Sequence, residues 1–96
     1  MSVLAIDAGT TGVTALLVDE RGGIAARGYR EFPQHFPQPG WVEHDPEEIW
    51  QATLAACRSA LAQSAPSPVA VGITNQRETA VLWRRTDCTA PHNAIV

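Results

Sequence analysis

The chain has 96 residues, a formal net charge of −3, 45% hydrophobic and 18% charged residues. That length holds one modest core, and the ordinary apolar content excludes disorder or a fibrous repeat as a starting expectation. The seven basic residues are scattered, which leaves no footprint for nucleic acid or an acidic membrane, and no apolar run nears the roughly 18 residues of a spanning helix. The start, MSVLAID, lacks the basic region and leader-length apolar stretch of a secretory signal, so the expected location is cytoplasmic. Cys57 and Cys88 lack the close spacing of a metal knuckle and are expected to be reduced, buried or idle thiols.

Residues 2–7, SVLAID, form an apolar run closed by Asp-Ala-Gly, a buried strand that delivers Asp7 to a loop. Residues 12–19 are rich in Val, Leu and Thr and end at Arg21-Gly22-Gly23, which suits a tight hairpin. Residues 24–32 alternate as a returning strand, completing a meander. Pro33, Pro37, Pro39 and Gly40 then make an ordered loop or linker. Asp45 supplies a helix cap, Pro46 fits the first helical position, and Glu48 completes an Asp-x-x-Glu capping pattern. The predicted helix runs to about Gln63, with Trp50, Leu54, Cys57 and Leu61 on a broad apolar face flanked by Ile49, Ala52, Ala56 and Ala60. Pro66 and Pro68 end it, residues 69–75 read as a buried fourth strand, and residues 79–85 and 92–96 bracket a turn as a predicted hairpin.

Two segments carry candidate chemistry. Asp7-Ala8-Gly9-Thr10-Thr11-Gly12 offers glycines for close approach of backbone amides to anionic oxygens, hydroxyl donors, and a carboxylate able to hold Mg²⁺ through its water shell. It matches neither a P-loop nor a dinucleotide fingerprint, and by itself it also reads as an ordinary turn. Gly72 to Thr79, GITNQRET, places Arg77 and Glu78 just after a strand, where α/β folds put ligands. A guanidinium fork and a carboxylate complement a polyhydroxylated substrate, although an isolated Arg-Glu pair is more often a surface ion pair. In PGWVEHDP the aspartate is taken by the helix cap, so a structural role is expected; His35, His44 and His92 have no partner legible in the sequence, and Trp83 is expected in the core.

Taken in order, DAGTTGVTALLVD, PGWVEHDPEEIW, GITNQRET and NAIV resemble the start of the FGGY carbohydrate kinases, and NQRET after GIT is similar to the glycerol-using branch of that family. The resemblance covers nearly the whole chain. It implies an α/β actin-like, ribonuclease-H-like fold, of which residues 1–96 would be a partial N-terminal domain. It also implies ATP-dependent phosphorylation of glycerol, with ATP and Mg²⁺ as cofactors and a homo-oligomer as the full-length assembly. By the same carry-over, Gly9, Thr10, Thr11 and Gly12 would lie at the nucleotide phosphates, Asp7 near the magnesium, and Arg77 and Glu78 on the glycerol hydroxyls. No catalytic base is expected within the chain, because the family's base and adenosine site would follow Val96. Ala8 replaces a glutamine and Thr14 an arginine found in many members, two departures for which the resemblance implies nothing about nucleotide affinity or regulation. The alternatives are another polyol or sugar kinase of the family, or a short non-catalytic product.

Overall fold

The computed structural model describes residues 1–63 and 65–96. Its backbone is a meander, β1 (Ser2–Ala8), β2 (Gly12–Asp19) and β3 (Ile24–Glu31), then a loop holding β4 (Glu43–His44), helix α1 (Pro46–Leu61), β5 (Pro68–Asn75) and β6 (Ala94–Ile95). The hairpin between β2 and β3 is set by Asp19, whose Oδ1 accepts from the amides of Arg21 at 2.9 Å and Gly23 at 2.8 Å. Gly22 supplies the left-handed residue, φ 81°, that a turn this tight requires. The sheet order is β3-β2-β1-β5, antiparallel within the meander and parallel between β1 and β5. Helix α1 is therefore the crossover that lets β5 run in the direction of β1.

One face of the meander is buried by α1. Leu4 and Ile6 of β1, Val13, Ala15 and Leu17 of β2, and Ala26 of β3 meet Ala52, Ala56 and Ala60 of the helix. The contact is made at backbone distance. A Cβ added to Gly28 of β3 would stand 2.0 Å from the Ala56 carbonyl oxygen, so only glycine lets the helix settle this closely. That explains why the buried stripe is alanine, recurring every four residues, rather than the larger Trp50, Leu54, Cys57 and Leu61 expected from periodicity. Trp50 and Leu61 are exposed, while Leu54 and Cys57 are half-buried.

Other expectations are corrected as well. Strand β3 stops at Glu31 and the helix at Leu61, each slightly short of its predicted end. Asp7 lies within β1 rather than in the loop. Strand β5 is not buried, since every residue after Pro68 is exposed and α1 covers the meander instead. The loop after β3 is not wholly irregular, because Glu43 and His44 pair with Ile95 and Ala94 of β6. The hairpin expected from residues 79–85 and 92–96 reduces to one bridge, Ala80 to Ile95, as β4 takes the second arm. Trp83 is exposed, not core. Asp45 caps α1 by accepting from the Glu47 amide at 2.9 Å, but Glu48 does not complete a capping box; its carboxylate contacts His35 Nε2 at 2.5 Å.

Candidate functional site

Parallel pairing places the two chemistry-bearing segments side by side. Ala8, the last residue of β1, is in register with Asn75, the last of β5, so the Gly9–Gly12 turn and the segment from Gln76 leave the sheet at the same end of the strands. In the turn the Gly9 amide donates to the Gly12 carbonyl at 3.0 Å, and the side chains of Thr10 and Thr11 are exposed. Asp7 is exposed on the face away from the helix, flanked in register by Thr14 of β2 and Thr74 of β5. Its Oδ1 would be 3.9 Å from a Cβ on Gly9, which sets the carboxylate at the mouth of the turn. Gly12 has a separate reason to be glycine. It is buried, and a Cβ there would meet the Tyr29 hydroxyl at 2.6 Å and the Arg30 carbonyl at 2.7 Å.

Arg77 and Glu78 follow Gln76 and are exposed. Glu78 adopts φ 62°, a left-handed conformation that costs a non-glycine residue of order 1 kcal/mol and gathers at ligand-binding segments. Thr79 is half-buried and donates through Oγ1 to Gln76 Oε1 at 2.7 Å.

Three residues given no role by sequence reasoning join these parts. Gln76 Nε2 donates to the Gly9 carbonyl at 3.0 Å and contacts His44 Nδ1 at 3.0 Å. His44 Nε2 meets Gln34 Oε1 at 2.6 Å, and Gln34 Nε2 donates to the Thr10 carbonyl at 2.9 Å. His44 is fully buried, its ring edge-on to Phe32 with centroids 4.9 Å apart. Burial lowers its pKa from the ordinary histidine value, and the nearby His35 acts in the same direction. The three histidines are thus not isolated: His35 pairs with Glu48, and His92 stands 3.9 Å from Glu43. Sequence offered no signal for Gln34, and Gln76 was visible only as part of its motif.

Among the described residues no cluster of three or more His, Cys, Asp or Glu side chains converges to hold a metal. The single carboxylate of Asp7 beside a turn of free donors does fit Mg²⁺ held through water and by phosphate oxygens, the mode this ion favours. The cysteines are both free thiols, with Cys57 half-buried and raised in pKa by burial, whereas Cys88 is exposed rather than buried. No described helix is long and apolar enough to cross a membrane.

Residues 2–96 match the N-terminal domain of the FGGY family of carbohydrate kinases. A glycerol kinase from Gloeobacter violaceus is 56% identical over 95 residues, covering 99% of this chain and 19% of its own length. The chain thus spans about a fifth of the length of the curated relatives it matches. A crystal structure of Plasmodium falciparum glycerol kinase with ADP superposes with a TM-score of 0.87 at 33% identity, over 99% of this chain and 20% of that one. A xyloylose kinase from Brucella ovis superposes with a TM-score of 0.89 at 28% identity, over 100% of this chain and 21% of that one. The partial α/β domain therefore has the fold expected from its motifs.

Proposed function

We propose that this chain, which belongs to the FGGY family of carbohydrate kinases, contributes the phosphate-facing and polyol-facing loops of an enzyme that phosphorylates glycerol at the expense of ATP. One observation carries the proposal: in-register parallel pairing of β1 and β5 sets the Gly9–Gly12 turn beside Arg77 and Glu78, with Gln76 bonded across to Gly9. A donor-rich turn next to a guanidinium–carboxylate pair is what transfer of an anionic group to a polyol needs. The naming of glycerol kinases among relatives at 53–56% identity supports glycerol as the acceptor.

In this reading Thr10 and Thr11 donate to the nucleotide phosphates, Gly9 and Gly12 shape the turn, and Asp7 orients the water shell of Mg²⁺. The ion would supply charge neutralisation at the phosphates. Arg77 donates to, and Glu78 accepts from, the hydroxyls of glycerol, fixing the terminal oxygen in line with the transferring phosphorus. That oxygen forms the new P–O bond, the bond to ADP breaks, and the hydroxyl proton passes to a base outside these 96 residues. Cytoplasmic location and a homo-oligomeric assembly complete the proposal.

Steady-state kinetics on the full-length protein test it. Arg77→Ala is expected to lower kcat/KM for glycerol by a factor equivalent to about 1.5–3 kcal/mol of transition-state binding, the scale of hydrogen bonds to a charged group, with little change in KM for ATP. Wild-type kcat/KM in that variant would remove Arg77 from the site. A preference for xylulose over glycerol in the unmodified protein would move the substrate assignment elsewhere in the family.

A further inference from the structure

The hydrogen bonds around His44 leave one arrangement open to it. Gln76 Nε2 faces the Gly9 carbonyl, and Gln34 Nε2 faces the carbonyls of Thr10 and Phe32 at 2.9 and 3.4 Å. Turning either amide over would set oxygen against carbonyl oxygen, so both orientations are fixed by the backbone. Gln76 therefore presents a donor to His44 Nδ1, and Gln34 presents an acceptor to Nε2. The imidazole must be neutral, with its proton on Nε2, because a proton on Nδ1 would face the Gln76 amide hydrogens. Each ring nitrogen then has one partner, and the carbonyls of Gly9 and Thr10 are each held by a glutamine that also bonds the His44 ring.

We propose that His44 is a positioning residue that couples the two halves of the candidate site. Through Gln34 and Gln76 it fixes the carbonyls of Gly9 and Thr10, which aims the amides and hydroxyls of the same turn outward. Through Gln76 and its bond from Thr79 it also fixes the start and end of the segment that carries Arg77 and Glu78. The ring is fully buried, so it acts through these groups and not on a ligand. Its interpretation for catalysis rests on the proposed kinase reading, whereas the coupling itself does not.

The position of the partners makes this more than filling of space. Gln34 comes from the loop after β3, Gln76 from the end of β5, and the turn from the end of β1. Apart from the ring, the loop after β3 meets the turn through Gln34 to Thr10 and the Phe32 amide to the Thr11 carbonyl, and β5 meets it through Gln76 to Gly9 and the β1–β5 ladder; the His44 ring adds the link between Gln34 and Gln76. A phenylalanine at residue 44 would retain a packed aromatic beside Phe32 but offer neither donor nor acceptor. A glutamine would offer both.

The test compares the full-length protein with its His44→Phe and His44→Gln variants by amide hydrogen exchange, histidine ¹⁵N spectra at neutral pH, and kinetics. His44→Phe is expected to speed exchange about tenfold in residues 9–12 and 76–79 together, while His44→Gln restores much of the protection. The wild-type spectrum is expected to show His44 protonated at Nε2 alone. In the kinetics, His44→Phe should raise KM for both ATP and glycerol, and His44→Gln should recover both. Unchanged exchange in His44→Phe, a change in only one of the two segments, or a proton on Nδ1 would overturn the coupling. A protein that phosphorylates no polyol would overturn the kinase reading instead, and the exchange and spectra would still decide the coupling.

Discussion

Asp7 stands one residue before the end of β1 with its carboxylate at the mouth of the Gly9 turn, while Arg77 and Glu78 stand free beyond the end of β5. If Asp7 orders the water around Mg²⁺, replacing it with a neutral amide weakens that hold without altering side-chain size. Asp7→Asn in the full-length protein is therefore expected to lower kcat by roughly 10–100-fold, the usual range for an outer-shell metal partner, and to raise the Mg²⁺ concentration giving half-maximal rate. A magnesium titration identical to wild type would remove Asp7 from that role. His44 gives a second prediction. Its folded pKa lies below the ordinary 6.5, so the folded state binds fewer protons than the unfolded chain as pH falls. The stability it contributes is present above about 6.5 and is lost as pH falls through that value toward the folded pKa. The charged neighbours are His35, which acts on the His44 ring and is itself paired with Glu48, and Glu43, next to His44 in sequence and 3.9 Å from His92. The Tm difference between wild type and His44→Gln should therefore move in favour of the variant between about pH 7.5 and about pH 5.5. Asp7, Thr10, Arg77 and Glu78 could be nominated from the sequence because each sits in a contiguous motif. Gln34 and His44 were not, because the groups that give them meaning lie 10 to 32 residues away.

At the scale of elements, the meander and the start of α1 were legible because each is decided locally: Asp19 and Gly22 make the hairpin, and Asp45 with Pro46 starts the helix. The buried face of the helix was not. Periodicity offers two adjacent apolar stripes on α1, and the choice between them is made by Gly28, which sits on another element and lets the alanine stripe approach to backbone distance. Gly28→Ala tests that reason. The added methyl must displace the Ala56 carbonyl, with no flexible side chain to yield, so the variant is expected to lose about 1–3 kcal/mol, as overpacked cores do. A shift of the urea midpoint at constant m-value is the readout, and a midpoint unchanged from wild type would mean that the helix is not seated on β3 as described. The two-residue strands β4 and β6 had no sequence signature, since pairing over Glu43–His44 and Ala94–Ile95 is too short for alternation to register.

For the molecule as a whole, the 96 residues are extended rather than closed. The radius of gyration is 15.0 Å and the principal extents are 45, 32 and 21 Å, against about 13 Å expected for a self-contained domain of roughly 100 residues. Helix α1 packs on β2 and β3 and leaves β5 uncovered. Val71 and Ile73 are in register with the buried Leu4 and Ile6, yet they are 57% and 73% exposed because α1 lies over the meander and stops short of them. The far edge of β5 has no strand partner among the described residues, and an exposed, apolar, unpaired edge is a template for pairing with another chain. Residues 1–96 produced alone are thus expected to self-associate, and Val71→Lys with Ile73→Lys to reduce that association by placing charge on the same face without touching the meander core. Light scattering after size exclusion reads both outcomes. The same preparation is expected to form no glycerol 3-phosphate from glycerol and ATP, because positioning by an incomplete site forgoes several orders of magnitude in rate. A soluble wild-type monomer with a cooperative, reversible unfolding transition would contradict the first expectation, and product above background would contradict the second. The first result would mean that the open edge of β5 is tolerated by a sheet of four strands and one helix, with its stability then resting on the alanine–glycine contact between α1 and β3.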